Sequence, residues 1–403
     1  MASSFRSARG SRVAGIVLVN VVLFIGLSAL AEAVLHRVYN WENPFLVHGE
    51  TRLRPRHPVF THTLRPKFDG YDNWGSDSTR VITNSLGFKD ASTRDVPLVA
   101  NRKRVVFIGD SFTEGVGLVY EDSFVGRFAH AFPELDVLNA GVASYAPSVY
   151  FEKLKFYLDA GLKFDEAIVY IDISDIQDEA IFYRNDSNGA LQFGVFAPDP
   201  AKCLPQAAPL IEAPERGWLE KRSFVVEFVS KSLYARRLEA ANARASFAEL
   251  ARPGRAYSRD WMRAAWTYDD RAGCYGPGGV AAAIEKAKAQ MDRLHELLSS
   301  KGIALSVGVY PWPQQLLYDV ENSRQASIWR DWCAGKCARF FDHFPAFFRY
   351  KETHPDFLRD LYIWADCHFN ANGDRLLAED LVAQYGGDGA LASSFRGAAR
   401  ESR

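Results

Sequence analysis

The sequence predicts an α/β fold: a doubly wound parallel sheet flanked by helices, with an N-terminal transmembrane helix ahead of it and a helical insertion within it. Two observations carry the sheet. From Arg104 onward, short runs are apolar at consecutive positions, as strands buried on both faces of a parallel sheet require. Helix-like stretches alternate with those runs, the order that builds βαβ units. The third observation is the uncharged segment Val13–Leu30, VAGIVLVNVVLFIGLSAL, long enough to cross a bilayer core as one helix.

That first segment follows Arg6, Arg9 and Arg12 and is closed by Glu32. The positive-inside bias keeps residues 1–12 in the cytoplasm, makes 13–31 the anchor and exports the rest, which places the protein in a cell inner membrane with its body on the periplasmic side. A cleavable signal peptide competes, since Ala29-Leu30-Ala31 fits a cleavage site. Its apolar stretch, however, exceeds the usual length, and an uncleaved anchor is preferred. Residues 32–100, with scattered prolines and aromatics, read as an extended lead-in arm or a small strand-rich lead-in, in which Val81–Asp90 forms a short strand and turn. The main domain spans 101–388 and a flexible tail 389–403.

Within the domain the strand candidates are RVVFIGD, DVLNAG (Asp136–Gly141), EAIVYIDIS (Glu166–Ser174), IALSVGVYP (Ile303–Pro311) and FFDHF (Phe340–Phe344). Helices are expected at Phe124–Ala131, Ser148–Leu162, Ala281–Ser300 and Asn372–Gln384. The insertion, about residues 180–280, carries helix-like stretches near Phe228–Ala243 and Arg259–Thr267. It has the position of a lid or substrate platform over the carboxyl edge of the sheet, where open α/β folds bind ligands.

Composition narrows the function. With 48 basic and 49 acidic side chains and a net charge of −1, nothing favours nucleic acid as a partner. Export makes the five cysteines readable. Cys333 and Cys337 suit a local disulfide. Zinc is the rival reading, but no second ligand pair follows at useful spacing. Cys203 and Cys274 are a second candidate pair, which leaves Cys367 over.

The chemistry concentrates in three peptides. In Val105–Leu118, VVFIGDSFTEGVGL, a buried strand runs into Gly109-Asp110-Ser111, so the serine stands at a carboxyl end of the sheet beside helix N–H groups. It is either a nucleophile or an N-cap; the G-x-S-x-G elbow is absent. Gly141 follows the second run and lets backbone approach a substrate closely. Asp172, Ser174 and Asp175 end the third run, where Ser174 either donates to an oxyanion or caps the next helix. In Asp366-Cys367-His368-Phe369-Asn370 a carboxylate precedes a histidine by two residues, a spacing that lets Asp366 orient the imidazole and His368 take a proton from serine. His343 and His354 compete for the base, but the first has buried, Phe-rich flanks and the second stands before Pro355. Cys367 is a further candidate nucleophile, set aside because the Gly-Asp-Ser turn already supplies one. Trp312, Trp329 and Trp332 are candidates for stacking on sugar rings or for core packing.

These peptides, in this order, resemble the SGNH (GDSL-type) hydrolase superfamily over most of residues 104–385. Gly109-Asp110-Ser111-Phe112-Thr113-Glu114-Gly115 matches its first block, Asn139-Ala140-Gly141 its second, and Asp366-Cys367-His368 with Asn370 and Gly373 its last. The resemblance implies a flavodoxin-like three-layer sheet, a Ser111–His368–Asp366 triad, and an oxyanion hole built from Ser111, Gly141 and Ser174. It gives Asp110 and Asp175 supporting places and requires no metal and no cofactor. The third block departs from the family: Asp172-Ile173-Ser174-Asp175 stands where Gly-x-Asn-Asp is usual, so Ser174 is a shorter donor. The acid also lies two residues before His368 where many members have three; related polysaccharide O-acetyltransferases and acetylesterases tolerate the shorter spacing, which keeps Asp366 as the implied acid. The implied function is a serine esterase acting on an acylated small molecule or a cell-envelope glycan. An O-acyltransferase with the same triad and a non-catalytic glycan-binding protein are the alternatives.

Overall fold

The computed structural model describes residues 2–38, 53–74, 77–196, 210–212, 215, 217–220, 222–252, 263–269 and 273–387. The chain forms two compact units, Met1–His48 with Pro209–Arg244, and Gly49–Ala208 with Ala245–Arg403.

In the first unit, helix α1 (Ala2–Val38) is continuous, and its stretch Gly15–Val34 is long and apolar enough to span a membrane. The insertion helix Phe224–Arg244 belongs to the same unit and extends the expected Phe228–Ala243 at both ends. Of the other expected insertion helix, 259–262 lie outside the described residues and Ala265–Thr267 form a single 3-10 turn. The expected tail 389–403 also lies outside them, as does 39–52 of the lead-in arm.

The second unit is built on five parallel strands: β1 (Arg104–Ile108), β2 (Asp136–Asn139), β3 (Glu166–Tyr170), β4 (Ala304–Val309) and β5 (Arg339–Asp342). Their order is β5-β4-β3-β1-β2. Every side chain of β1, β2 and β3 is buried, which explains why these strands read as unbroken apolar runs. The fifth run differs from expectation at its end. The strand stops at Asp342, and Phe344 opens a helix, Phe344–Thr353, whose first turn holds Pro345. Proline has no N–H to give a ladder and its fixed φ suits a first helical turn.

Crossover helices cover the sheet: α2 (Ser111–Glu114), α3 (Phe124–Ala131), α4 (Pro147–Asp159), α5 (Asp175–Ile181), α6 (Gly279–Ser299) and α7 (Ala371–Gly386). Of these, α3, α4, α6 and α7 agree with the expected stretches to within a few residues. The strand order places the carboxyl ends of β1, β2, β3 and β4 side by side. Gly109-Asp110-Ser111, Gly141, Asp172 and Trp312 therefore converge on one edge.

Residues 53–96 of the lead-in are not a detached arm. Leu53, Phe60, Leu64, Phe88 and Val96 enter the same core as the sheet. Asp69–Trp74 and Asp77–Ile82 form an antiparallel hairpin, and Lys89 bridges to Asn139, the last residue of β2. Cys333 and Cys337 form the expected disulfide. Cys274 is disulfide-bonded as well, while Cys203 lies outside the described residues.

Candidate active site

Ser111 is the first residue of α2, a single turn that Asp110 caps by accepting from the Phe112 N–H at 3.0 Å. Ser111 is thus not the cap but the residue after it. Its backbone N–H has no protein acceptor among the described residues. Gly115 ends the turn with φ +72° in the left-handed region, and a Cβ there would meet the Ser123 Cβ at 2.8 Å.

His368 is delivered from the opposite side by a tight hairpin. Tyr362 bridges to Phe369, and the Ile363 N–H donates to the His368 carbonyl at 2.8 Å. Asn370 then caps α7 by accepting from the N–H groups of Asn372 and Gly373. Phe369 anchors the hairpin in an aromatic cluster with Phe112, Tyr310, Phe347 and Tyr362.

These two elements bring the sequence-predicted residues into a relay. The Ser111 hydroxyl donates to His368 Nε2 at 2.7 Å. On the other ring nitrogen, His368 Nδ1 donates to Asp366 Oδ1, which also accepts the His368 backbone N–H at 2.9 Å. Cys367 Sγ lies 3.8 Å from Nδ1, on the Asp366 side of the ring, so it does not stand where Ser111 stands. The competing histidines are occupied elsewhere: His343 is fully buried between Tyr170 and Asp380, and His354 stacks on Tyr350. The Trp74 indole meets the His368 ring edge-on at 4.9 Å, which adds a wall from the lead-in hairpin.

The surrounding donors are more committed than the sequence suggests. The Gly141 N–H donates to Asn139 Oδ1 at 3.0 Å. A Cβ on Gly141 would meet the Glu114 nitrogen at 2.7 Å, so glycine is required for the chain to pass α2. Ser174 stands at the start of α5, but its side chain does not cap the helix. Its N–H donates to Asp172 Oδ1 at 2.7 Å. The three tryptophans offered for sugar stacking are core residues: Trp312, Trp329 and Trp332 are all buried, and Trp312 Nε1 donates to Asp172 Oδ2 at 2.6 Å.

Behind Ser111 sits an arrangement the linear sequence does not display. Asp110, Asp172 and Asp175 are all buried, with carboxylate oxygens within 4.8 Å of one another. Asp110 accepts from Phe112 at 3.0 Å and from Tyr310 at 3.3 Å, and the Ser111 Oγ lies 3.3 Å from its Oδ2. Asp172 accepts from Ser174 and Trp312, and Asp175 Oδ2 from Tyr150 at 2.7 Å and the Asp172 N–H at 3.1 Å. Only Asp175 Oδ1 lacks a donor among the described residues. Three carboxyl groups in one dry site cannot all ionise. Burial, then the Asp172 charge, push Asp110 up to about 8; burial, then Asp110 and Asp172, raise Asp175 well above the carboxylate range. The donor spacing admits a cation as well as a proton in this cluster and in the Asp366–Cys367–His368 group. Hydrogen-bond donors already fill most of the cluster's oxygens.

His368 feels the same carboxylates. Burial alone would lower its pKa, but Asp366, Asp110 and Asp172 together raise it above the ordinary value of 6.5. Burial likewise opposes ionisation of Asp366, yet His368 holds it below the usual range. A base must be neutral to take a proton, so kcat/KM should rise with pH through a midpoint above 6.5. Ionising Asp110 near pH 8 adds negative charge where an oxyanion develops, so the rate should fall again at that end. Asp110→Asn should remove the alkaline fall, because the amide cannot ionise, and leave the acid limb in place. A pH–rate profile of the variant with both limbs unmoved would refute the coupling.

No family model matches the sequence, and no curated protein matches it. Solved structures do show likeness. One is LAE5, an alpha/beta hydrolase enzyme from the metagenome of Lake Arreo, Spain, at 15% identity, covering 72% of this chain and 97% of that one, with a TM-score of 0.35. Axe2, an acetylxylan esterase from Geobacillus stearothermophilus, shares 12% over 72% of this chain and 98% of its own, with a TM-score of 0.37. A member of the lipolytic protein G-D-S-L family from Veillonella parvula DSM 2008 shares 10% over 71% and 99%, with a TM-score of 0.35. Identities and TM-scores this low pass no property of those proteins to this chain.

Proposed function

We propose that the chain is a membrane-anchored serine esterase of SGNH-hydrolase type that removes an ester-linked acyl group, acetyl in the first instance, outside the cytoplasm. The observation that supports this reading best is the relay from Asp366 through His368 to Ser111. Ser111 Oγ attacks the ester carbonyl carbon as its proton passes to His368 Nε2, and the Asp366 charge stabilises the imidazolium that forms. The carbonyl electrons move to oxygen, where the unpaired Ser111 N–H at the start of α2 is the first donor. Gly141 N–H joins by exchanging Asn139 for the oxyanion, and the Ser174 hydroxyl is the third candidate donor. Collapse expels the alcohol, which takes the proton from His368 and leaves an acyl-enzyme. Water then attacks through the same base.

An O-acyltransferase shares every step up to the acyl-enzyme and differs in sending it to a sugar hydroxyl. One experiment separates these readings. Full-length protein in detergent is mixed with p-nitrophenyl acetate, quenched in acid and mapped by mass spectrometry, with and without an oligosaccharide acceptor. Acetyl on Ser111 and free acetate support the esterase, and acetylated oligosaccharide supports the transferase. A folded protein that releases no nitrophenol and carries no acetyl would leave a binding protein as the better reading.

A further inference from the structure

We propose that residues 218–237, the turn before the insertion helix and its first half, lie on the extracytoplasmic surface of the bilayer as an interfacial platform beside the anchor. The inference takes the apolar span of α1 as membrane-crossing and is independent of the esterase reading.

The starting observation is a junction at the end of the span. Glu32 accepts from the Ser223 hydroxyl at 2.9 Å and from the Val225 N–H at 3.2 Å. Both partners belong to one compact unit, so the insertion helix begins where the apolar span Gly15–Val34 ends. A helix starting there begins at the depth of the lipid headgroups. A first-turn N–H and the hydroxyl before it are natural partners for a carboxylate.

The second observation is what the segment exposes. Trp218 and Leu219 are 65% and 58% exposed, and Val226, Val229 and Leu233 are 37%, 50% and 52% exposed. The last three recur at helical spacing and share one face. Apart from the membrane span, a soluble surface seldom leaves such a stripe to water.

The charges around the stripe fit a phosphate-bearing surface. The Arg222 guanidinium lies 4.6 Å from the Trp218 ring centre, joining an amphipathic ring to a cation as interfacial anchors do. Arg236 and Arg237 are exposed one turn beyond Leu233. Long basic side chains can rest their stems on apolar surface and reach lipid phosphates with their heads. Lys231 is held by Glu227 at 2.7 Å, four residues back on the helix.

The test uses full-length protein in nanodiscs of phosphatidylcholine with phosphatidylglycerol. Nitroxide labels are placed at Val229→Cys, Leu233→Cys and, for comparison, Glu239→Cys, with unlabelled wild type as background. All three positions are exposed, so labelling does not depend on opening the fold. Power saturation with oxygen and a water-soluble nickel chelate then reports depth. Ratios of oxygen to nickel accessibility several-fold higher at 229 and 233 than at 239 are expected. Equal, water-like nickel accessibility at all three would overturn the platform. So would shielding from both reagents with spin–spin broadening, which would mean that a second copy covers the face.

Discussion

Ser111→Ala should lower kcat for p-nitrophenyl acetate by about 10⁴-fold or more without changing the thermal midpoint. The side chain removed is one hydroxyl, and its donated bond to His368 is its short one. His368→Ala should cost about as much, and the double variant little more than either single one, because nucleophile and base act as one unit. Asp366→Ala should be milder, since Ser111 and Nε2 would still meet but the imidazolium would lose its counter-charge. Steady-state kinetics on all four proteins, with circular dichroism as a folding check, provides the measurement. Additive losses, or activity that survives in the Ser111 variant, would remove the relay from the mechanism.

How much of this site was legible beforehand depends on how local each signal is. Strands β1 to β3 are buried at every position, so their runs announce themselves, and the peptides at their carboxyl ends come with them. Ser111, Asp366 and His368 could be singled out because each sits in a short turn or hairpin beside its own strand or helix. What escaped notice depends on partners far apart in the chain. Asp172 looked like one more acid ending a strand, yet it is held by Trp312, 140 residues away. Asp110 and Asp175 came as supporting residues, but nothing in either peptide says that their carboxyl groups share one dry pocket. Lys153 was not singled out at all. It is fully buried, donating to the Ala140 carbonyl at 2.8 Å beside the rings of Phe88 and Tyr145. A lysine among apolar residues on a helix facing the sheet is the one faint signal that was available. The lead-in's place in the core is not legible in the sequence, because Leu53, Phe60, Leu64 and Phe88 reach it from short segments with no periodicity to detect.

That lead-in also sets the second large effect, since Arg54 forms a direct ion pair with Glu114 among the described residues. Arg54 Nη2 lies 2.8 Å from Asp72 and bonds Glu114 directly, with both acids nearly or fully buried. Burial works against the guanidinium, but the two carboxylates raise its pKa, so it is charged at any working pH. Glu114 in turn belongs to the Ser111 turn, and its second oxygen accepts the Ala143 N–H at 2.8 Å. It thereby ties the loop after β2, and with it Gly141, to the nucleophile. Arg54→Ala should cost about 3–5 kcal/mol of stability, because it leaves a carboxylate buried without its partner. Adding Glu114→Gln should recover part of that loss, since the amide keeps an acceptor for Ala143 and removes the stranded charge. Urea unfolding of the two single variants and the double variant gives the cycle. A double variant no more stable than Arg54→Ala alone would show that Arg54 acts through packing, and would free the nucleophile's loop from dependence on this ion pair.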